Sequence, residues 1–217
     1  MVWGFGHAVV GLGNQARTYT VVYSNSTFAE MNHNGLTSMM TVALRKCDRK
    51  LCEDGGAITF GGFDNKNCKP GIQWVQAIKG STRWVFHLDL IRLNGRFLPS
   101  SYRVSADADT GNSYIQFSRK MIPTVARLLK AKKQGFYYTT DCNAKFTLGF
   151  VIRKKNFEVT EKHLLLNQQI NGKCVLAIAE YPSIENFVVL GSAFHRAVCV
   201  TYEVQRGKLG FTPTVDQ

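Results

Sequence analysis

Short runs rich in Val, Ile, Phe, Tyr and Thr recur along the chain, each closed by Gly, Asn, Asp or Pro. They occupy residues 57–60, 84–93, 113–117, 146–152, 187–190 and 197–204. Short strands at this spacing, with turn residues between them, predict an all-β body. Leu93-Asn94-Gly95-Arg96 and Ile170-Asn171-Gly172-Lys173 predict tight hairpins, because Asn-Gly suits the positive φ angles of two-residue turns. One amphipathic helix stands out. Pro123 lies in its opening turn, Ile122, Val125, Leu128 and Leu129 form its inner side, and Gly135 lies past its end. A shorter helix is expected over residues 28–34. Trp74, Trp84 and Phe86 are read as core rather than as a ligand platform.

Composition narrows the class. With 217 residues, 45% of them hydrophobic, the chain is long enough for one sizeable core or two small ones. It contains no run of about 18 apolar residues, so no membrane span is expected. Its first residues lack the basic stretch and apolar core of a signal peptide. The balance of 27 Lys and Arg against 15 Asp and Glu gives +12. Arg127, Lys130, Lys132 and Lys133 carry part of that charge, as do Arg153, Lys154 and Lys155. The first cluster reads as the solvated outer face of the amphipathic helix. No interleaved aromatics accompany it, so nucleic acid is not an expected partner.

The six cysteines, Cys47, Cys52, Cys68, Cys142, Cys174 and Cys199, form no C-x-x-C pair and have no histidines at ligand spacing. Disulfides are therefore expected, with no metal and no cofactor. The five histidines are scattered and are read as structural or surface residues. Asn25-Ser26-Thr27 is a glycosylation acceptor that, with disulfides, fits secretory passage to a secreted or lysosomal destination.

The most informative motif is Asp109-Thr110-Gly111, flanked at a distance by Val9-Val10-Gly11 and Val189-Leu190-Gly191. Asp-Thr-Gly presents a carboxylate on a tight turn, and an apolar-apolar-Gly segment is of the kind that passes behind such a turn and holds it. Residues 106–113 run Ala-Asp-Ala-Asp-Thr-Gly-Asn-Ser. Upstream stand Gly61-Gly62-Phe63-Asp64 and Trp74-Val75. Downstream stand Val189-Leu190-Gly191-Ser192-Ala193-Phe194-His195-Arg196 and Gly207-Lys208-Leu209-Gly210-Phe211. In this order the landmarks resemble the pepsin-like aspartic peptidases along most of the chain.

The resemblance implies an enzyme of two similar lobes, each donating one aspartate to a dyad that activates water against a peptide bond. It places Asp109 as the catalytic residue of the C-terminal lobe, supported by Thr110, Gly111, Asn112, Ser113 and Gly191. Residues 1–46 then correspond to the tail of the N-terminal lobe, 47–64 to the connection between lobes and 65–217 to the C-terminal catalytic lobe. The remainder of the N-terminal lobe would be a missing partner, alongside a protein or peptide substrate. The chain holds no second Asp-Thr-Gly or Asp-Ser-Gly. By the same resemblance Cys142 pairs with Cys174 and Cys68 with Cys199, leaving Cys47 with Cys52, close enough to staple a local loop.

Paired carboxylates share one proton because like charges about 3 Å apart cannot both ionise. One takes a proton from water while the other donates to the carbonyl oxygen. Asp107 cannot be the second member, since residues two apart on a strand are roughly 7 Å apart and project in parallel. It stands where the family is apolar, which is costly unless it is protonated, paired or turned to water. Asn112 replaces the family's Thr or Ser, whose hydroxyl bonds the catalytic carboxylate. An amide can reach the same oxygen. Ser192 stands where the family has Asp, and His7-Ala8 where it has Asp-Gly.

Three readings follow. The chain is the C-terminal portion of an aspartic endopeptidase, inactive alone; or a catalytically inactive pepsin-fold binding module; or a half-enzyme in which two copies each donate Asp109.

Overall fold

The computed structural model describes residues 2–5, 8–11, 35, 37–46, 55–98 and 103–215. Three expectations lie outside them: the helix over 28–34, the Cys47–Cys52 pair and the Asn25 acceptor. Within the described residues the protein is all-β, with three short helices.

The chain opens with a hairpin of β1 (Val2–Phe5) and β2 (Ala8–Gly11), which contains the first apolar-apolar-Gly signature. There follow β3 (Met39–Leu44), β4 (Gly56–Phe60), β5 (Gln73–Gln76), β6 (Val85–Leu88), β7 (Leu90–Leu93) and β8 (Arg96–Phe97). Next come β9 (Val104–Ala108), β10 (Ile115–Ser118), α1 (Ile122–Leu128), β11 (Lys132–Gln134), β12 (Tyr137–Thr140), β13 (Thr147–Ile152) and β14 (Lys155–Thr160). The last portion holds α2 (Glu161–Leu164), β15 (Leu165–Ile170), β16 (Lys173–Leu176), β17 (Ile178–Tyr181), β18 (Phe187–Leu190), α3 (Ser192–His195), β19 (Val198–Glu203) and β20 (Lys208–Pro213).

Beyond the opening hairpin these strands form four sheets, ordered β4-β3-β19-β20-β5, β17-β10-β18-β9-β6, β14-β13-β7-β8 and β11-β12-β16-β15. Aromatic rings join them. Phe86 of β6 meets Phe211 of β20 with centroids 4.9 Å apart, Phe157 of β14 lies 6.0 Å from Phe211, and Phe150 of β13 meets Phe194 of α3 at 5.4 Å. All five rings are essentially solvent-free. Trp84 and Phe86 are core as expected, whereas Trp74 is only partly buried, on edge strand β5. It has a packing task there: it pairs with Gly210 of β20, and a Cβ at Gly210 would come within 3.0 and 3.1 Å of its ring. Gly210 is what lets the indole lie flat on the neighbouring strand.

Both Asn-Gly hairpins form. Leu93 pairs with Arg96 across Asn94 (φ 49°) and Gly95 (φ 75°), and Ile170 pairs with Lys173 across Asn171 (φ 50°) and Gly172 (φ 72°). A third tight turn carries no such signal. Ile152 pairs with Lys155 across Arg153 (φ 49°) and Lys154 (φ 68°), and the Lys154 amide donates to the Asp89 carboxylate at 2.7 Å. That bond holds two non-glycine residues in the left-handed region and turns the second basic cluster into a hairpin tip.

The amphipathic helix is shorter than expected. It ends at Leu128; Lys130 is left-handed (φ 52°), and Lys132 and Lys133 lie on β11, paired with Thr139 and Tyr138. Gly135 (φ 61°) therefore serves the β11–β12 hairpin rather than the helix end. Leu128, expected to face inward, is 39% exposed, while Ile122, Val125 and Leu129 are buried. Pairing with β12 overrides helical propensity here, and of the four basic residues only Arg127 is helical.

Disulfides join Cys68 to Cys199 and Cys142 to Cys174. Among the described residues no helix is long and apolar enough to cross a membrane, and no cluster of three or more His, Cys, Asp or Glu is placed to hold a metal.

Candidate active site

Strand β18 builds the site. It lies between β9, to which it is parallel, and β10, to which it is antiparallel. Its sequence, Phe-Val-Val-Leu, is buried at every position, as a strand covered on both faces requires. Leu190 sits beside Ala108 on one flank and Ile115 on the other. The chain leaving β9 must therefore turn over the end of β18 before it enters β10. Residues 109–114 make that turn.

Backbone bonds fix it. The Asp109 amide donates to the Leu190 carbonyl at 3.1 Å, and the Asn112 amide donates to the Asp109 carbonyl at 3.2 Å. From behind, the Ser192 amide donates to the Asn112 carbonyl at 2.6 Å and the Ser192 hydroxyl to the Thr110 carbonyl at 3.1 Å. Gly191 has an ordinary negative φ of −82°, so its role is spatial. A Cβ there would run into the carbonyl oxygens of Asn112 and Tyr114. Gly191→Ala should accordingly lower stability by about 1–3 kcal/mol, since backbone cannot yield as a side-chain tip can. Thermal unfolding would show it, and an unchanged midpoint would mean the turn is not clamped from behind.

The predicted residues fall as follows. Asp109 is partly buried, and its Oδ1 accepts the Gly111 amide at 3.0 Å, closing an Asx turn. Thr110 is 8% exposed, and its Oγ1 has no hydrogen-bond partner among the described residues. Ser113 is exposed. Asn112 does not reach Asp109: its Oδ1 accepts the Tyr114 amide at 3.1 Å, an Asx turn that draws the side chain along the loop.

Asp107 is almost fully buried beside Val85 and Val189. The Arg83 guanidinium reaches it at 3.3 Å, lies 5.3 Å above the Phe187 ring and donates to the Tyr181 hydroxyl at 3.3 Å. Burial pushes the Asp107 carboxyl up to about 6; Arg83 opposes the shift and the charge of Asp109 adds to it. Between the unfolded value of 3.8 and about 6 the folded chain thus holds more protons than the unfolded chain. Asp107 therefore favours folding fully below pH 3.8 and loses that contribution as pH rises through 6. Asp107→Asn should raise stability at pH 7 by on the order of 3 kcal/mol relative to wild type, with the gain gone by pH 4. Arg83 is half-exposed and tolerates the loss of its partner. Urea titrations at the two pH values measure the difference, and an equal effect at both would contradict it.

Two residues below the turn escaped the sequence reading as site residues. His195, at the end of α3, and Tyr202, on β19, are both 0% exposed. His195 Nδ1 lies 2.9 Å from the Gly191 carbonyl and Nε2 lies 2.8 Å from the Tyr202 hydroxyl, which is 3.3 Å from the Ala108 carbonyl. The sequence pattern marks His195 only as a structural or surface residue. The available signal is a polar residue directly after the apolar Ala193-Phe194 pair.

A sequence profile described as eukaryotic aspartyl protease matches residues 6–214, nearly the whole chain and including the turn just described. The chain belongs to that family. Among its relatives, "Aspartic protease 17" of Caenorhabditis elegans is 30% identical over 175 residues, covering 77% of this chain and 44% of the relative. "Aspartic protease 2" of Necator americanus is 27% identical over 164 residues, 72% of this chain and 37% of the relative. "Pregnancy-associated glycoprotein 6" of Ovis aries is 25% identical over 169 residues, 75% of this chain and 44% of the relative. The match thus spans less than half the length of each of these curated relatives.

Proposed function

We propose that this chain supplies one carboxylate, Asp109, to an aspartic-type endopeptidase whose second catalytic aspartate comes from polypeptide outside this sequence. One observation carries the reading: Asp109 stands partly exposed on a turn clamped from behind by Leu190, Gly191 and Ser192, and among the described residues its carboxylate accepts only the Gly111 amide. Beside it the Thr110 hydroxyl is buried without a partner among the described residues, a cost the fold would shed if a further segment seated against this turn. In the assembled site one carboxylate takes a proton from water while the other protonates the substrate carbonyl. The substrate is a protein or peptide. A single carboxylate cannot play both parts.

On this reading residues 65–217 form the catalytic lobe, 1–46 the tail of the other lobe and 47–64 their connection. β3 pairs with β19, so the first and last portions share a sheet. Two disulfides fit secreted or lysosomal residence. The basic clusters need no nucleic-acid or membrane partner: one is a hairpin tip, and Lys133 of the other pairs with Glu180 at 3.6 Å.

A second reading, a non-catalytic module that keeps the fold, draws on Asn112, whose amide serves Tyr114 and leaves Asp109 without the side-chain hydrogen bond the family supplies. Recovery of the full-length transcript separates the two. A second Asp-Thr-Gly or Asp-Ser-Gly upstream, with cleavage of denatured protein between about pH 3 and 5 by the complete product, supports the enzyme. A complete product that folds but does not cut supports the module. Sedimentation of this chain addresses self-association, and an inactive monomer excludes two copies pairing Asp109.

A further inference from the structure

His195 and Tyr202 form a hydrogen-bond chain whose protons can be counted. The Gly191 carbonyl at one end only accepts, so His195 Nδ1, 2.9 Å away, must carry a proton. The Ala108 carbonyl at the other end also only accepts, and it faces the Tyr202 hydroxyl at 3.3 Å. Between them Nε2 and the phenolic oxygen are 2.8 Å apart. Tyr202 has one proton to share between these neighbours. With a neutral imidazole, Nε2 is bare and takes the phenolic proton, which leaves the Ala108 carbonyl without that donor. With an imidazolium, Nε2 donates to the phenolic oxygen and the phenolic proton turns onto Ala108. The three contacts are satisfied together only when the ring carries two protons.

We propose that His195 and Tyr202 are positioning residues for Asp109: the proton count on the imidazole decides whether the Ala108 carbonyl, one residue before Asp109, receives a hydrogen bond from below. Ala108 is the last residue of β9, and its amide is already held by the Trp84 carbonyl at 3.1 Å. The peptide plane leading into the turn carries the Ala108 carbonyl and the Asp109 amide; the Leu190 carbonyl holds that amide at 3.1 Å, so the phenol–carbonyl bond fastens the plane's second polar group. The ring of His195 lies parallel to that of Tyr202 with centroids 6.5 Å apart, and Trp84 packs edge-on against Tyr202 at 5.2 Å, so neither side chain has room to swing away.

The charged groups facing this pair are Asp109 for His195, and Asp107 and Asp109 for Tyr202. Burial lowers the imidazole to about 4, while the Gly191 carbonyl and the charge of Asp109 favour its protonated form. Burial and the two carboxylates push the phenol well above its ordinary value, so it keeps its proton throughout. The switch thus falls in the acid range in which a carboxylate pair would work. Its bearing on catalysis rests on the reading of Asp109 as a catalytic group, but the coupling itself does not.

The test is an NMR titration of this chain from pH 7 to 3, following the His195 ring nitrogens, the Ala108 carbonyl carbon and the Asp109 amide. It is repeated in Asp109→Asn, so that the turn's own carboxyl contributes nothing. The expected result is a ring protonated at Nδ1 alone at pH 7, gaining a proton at Nε2 with a midpoint near pH 4. The Ala108 carbonyl should move downfield with the same midpoint. In Tyr202→Phe the ring should still titrate while the carbonyl response is lost; titration of Asp107, at about 6, is set apart by its midpoint. A ring protonated at Nε2 at neutral pH would overturn the proposal. So would an Ala108 carbonyl that stays still while His195 titrates, or one that responds equally in Tyr202→Phe. The ring measurements on the unaltered chain stand even if a variant fails to fold. Because all are read without turnover, a complete product that shows the coupling but does not cut would refute the enzyme assignment and leave this one intact.

Discussion

A complete enzyme carrying Asp109→Asn should fold normally and hydrolyse a denatured protein at least about a thousandfold more slowly than the parent. The carboxamide keeps the local structure, because its oxygen can accept the Gly111 amide as the carboxylate does at 3.0 Å. It cannot take a proton from water or share one with an opposing carboxylate, so the chemical step is lost while the turn remains. Asp107→Asn is the control. Asp107 is buried against Arg83, whereas Asp109 is partly exposed, so neutralising Asp107 should leave most of the activity in place. If Asp109→Asn retained activity, or Asp107→Asn removed it, Asp109 would not be the reacting carboxylate. Thermal unfolding of both variants separates chemistry from folding.

Removing the Cys68–Cys199 bridge should produce the largest loss of stability among single features of the described residues. The two cysteines are 131 residues apart in sequence, and freeing them releases a loop whose closure is worth about 5 kcal/mol by chain entropy. Cys142 and Cys174, 32 residues apart, would contribute about 4 kcal/mol on the same basis. Packing widens the gap. Cys199 is 0% exposed on β19 and Cys68 is 2% exposed, both within a small cluster that includes Ala43 and Phe63. Cys68→Ala with Cys199→Ala should therefore shift the urea midpoint further than Cys142→Ala with Cys174→Ala. The reverse order would show that native packing, rather than the unfolded ensemble, sets the worth of each bridge.

The sequence makes local features legible and leaves non-local ones dark. Asn94-Gly95 and Asn171-Gly172 announce their turns because the required dihedrals belong to those residue types. Arg153-Lys154 makes a comparable turn, but its support is the carboxylate of Asp89, distant in sequence. Lys132 and Lys133 read as a continuing helix, since nothing nearby reports that β12 will pair with them. At the site, Asp109-Thr110-Gly111 and Val189-Leu190-Gly191 stand out as motifs, and the fold brings them together through the β9–β18 pairing. Asp107 signals that it needs a partner to offset its burial, but nothing near it in sequence singles out Arg83. His195 and Tyr202 carry little sequence signal, because a buried imidazole and phenol acquire meaning only when their geometry shows which carbonyls they face. Asn112 reached Tyr114 instead of Asp109 because an Asx turn along its own loop is the nearer contact.

The insertion of β18 between β9 and β10 also dictates when the turn can form during biogenesis. The Ser192–Thr110 contact closes across 82 residues, and Leu190 must lie beside both Ala108 and Ile115. While the chain is still being synthesised, the Asp-Thr-Gly segment emerges long before its support, leaving the flanks of β9 and β10 open to improper association in the interim. Maturation of the acidic centre is thus a closing event of folding, and a ribosome-stalled fragment ending before Phe187 should expose that loop to proteases that spare the finished protein.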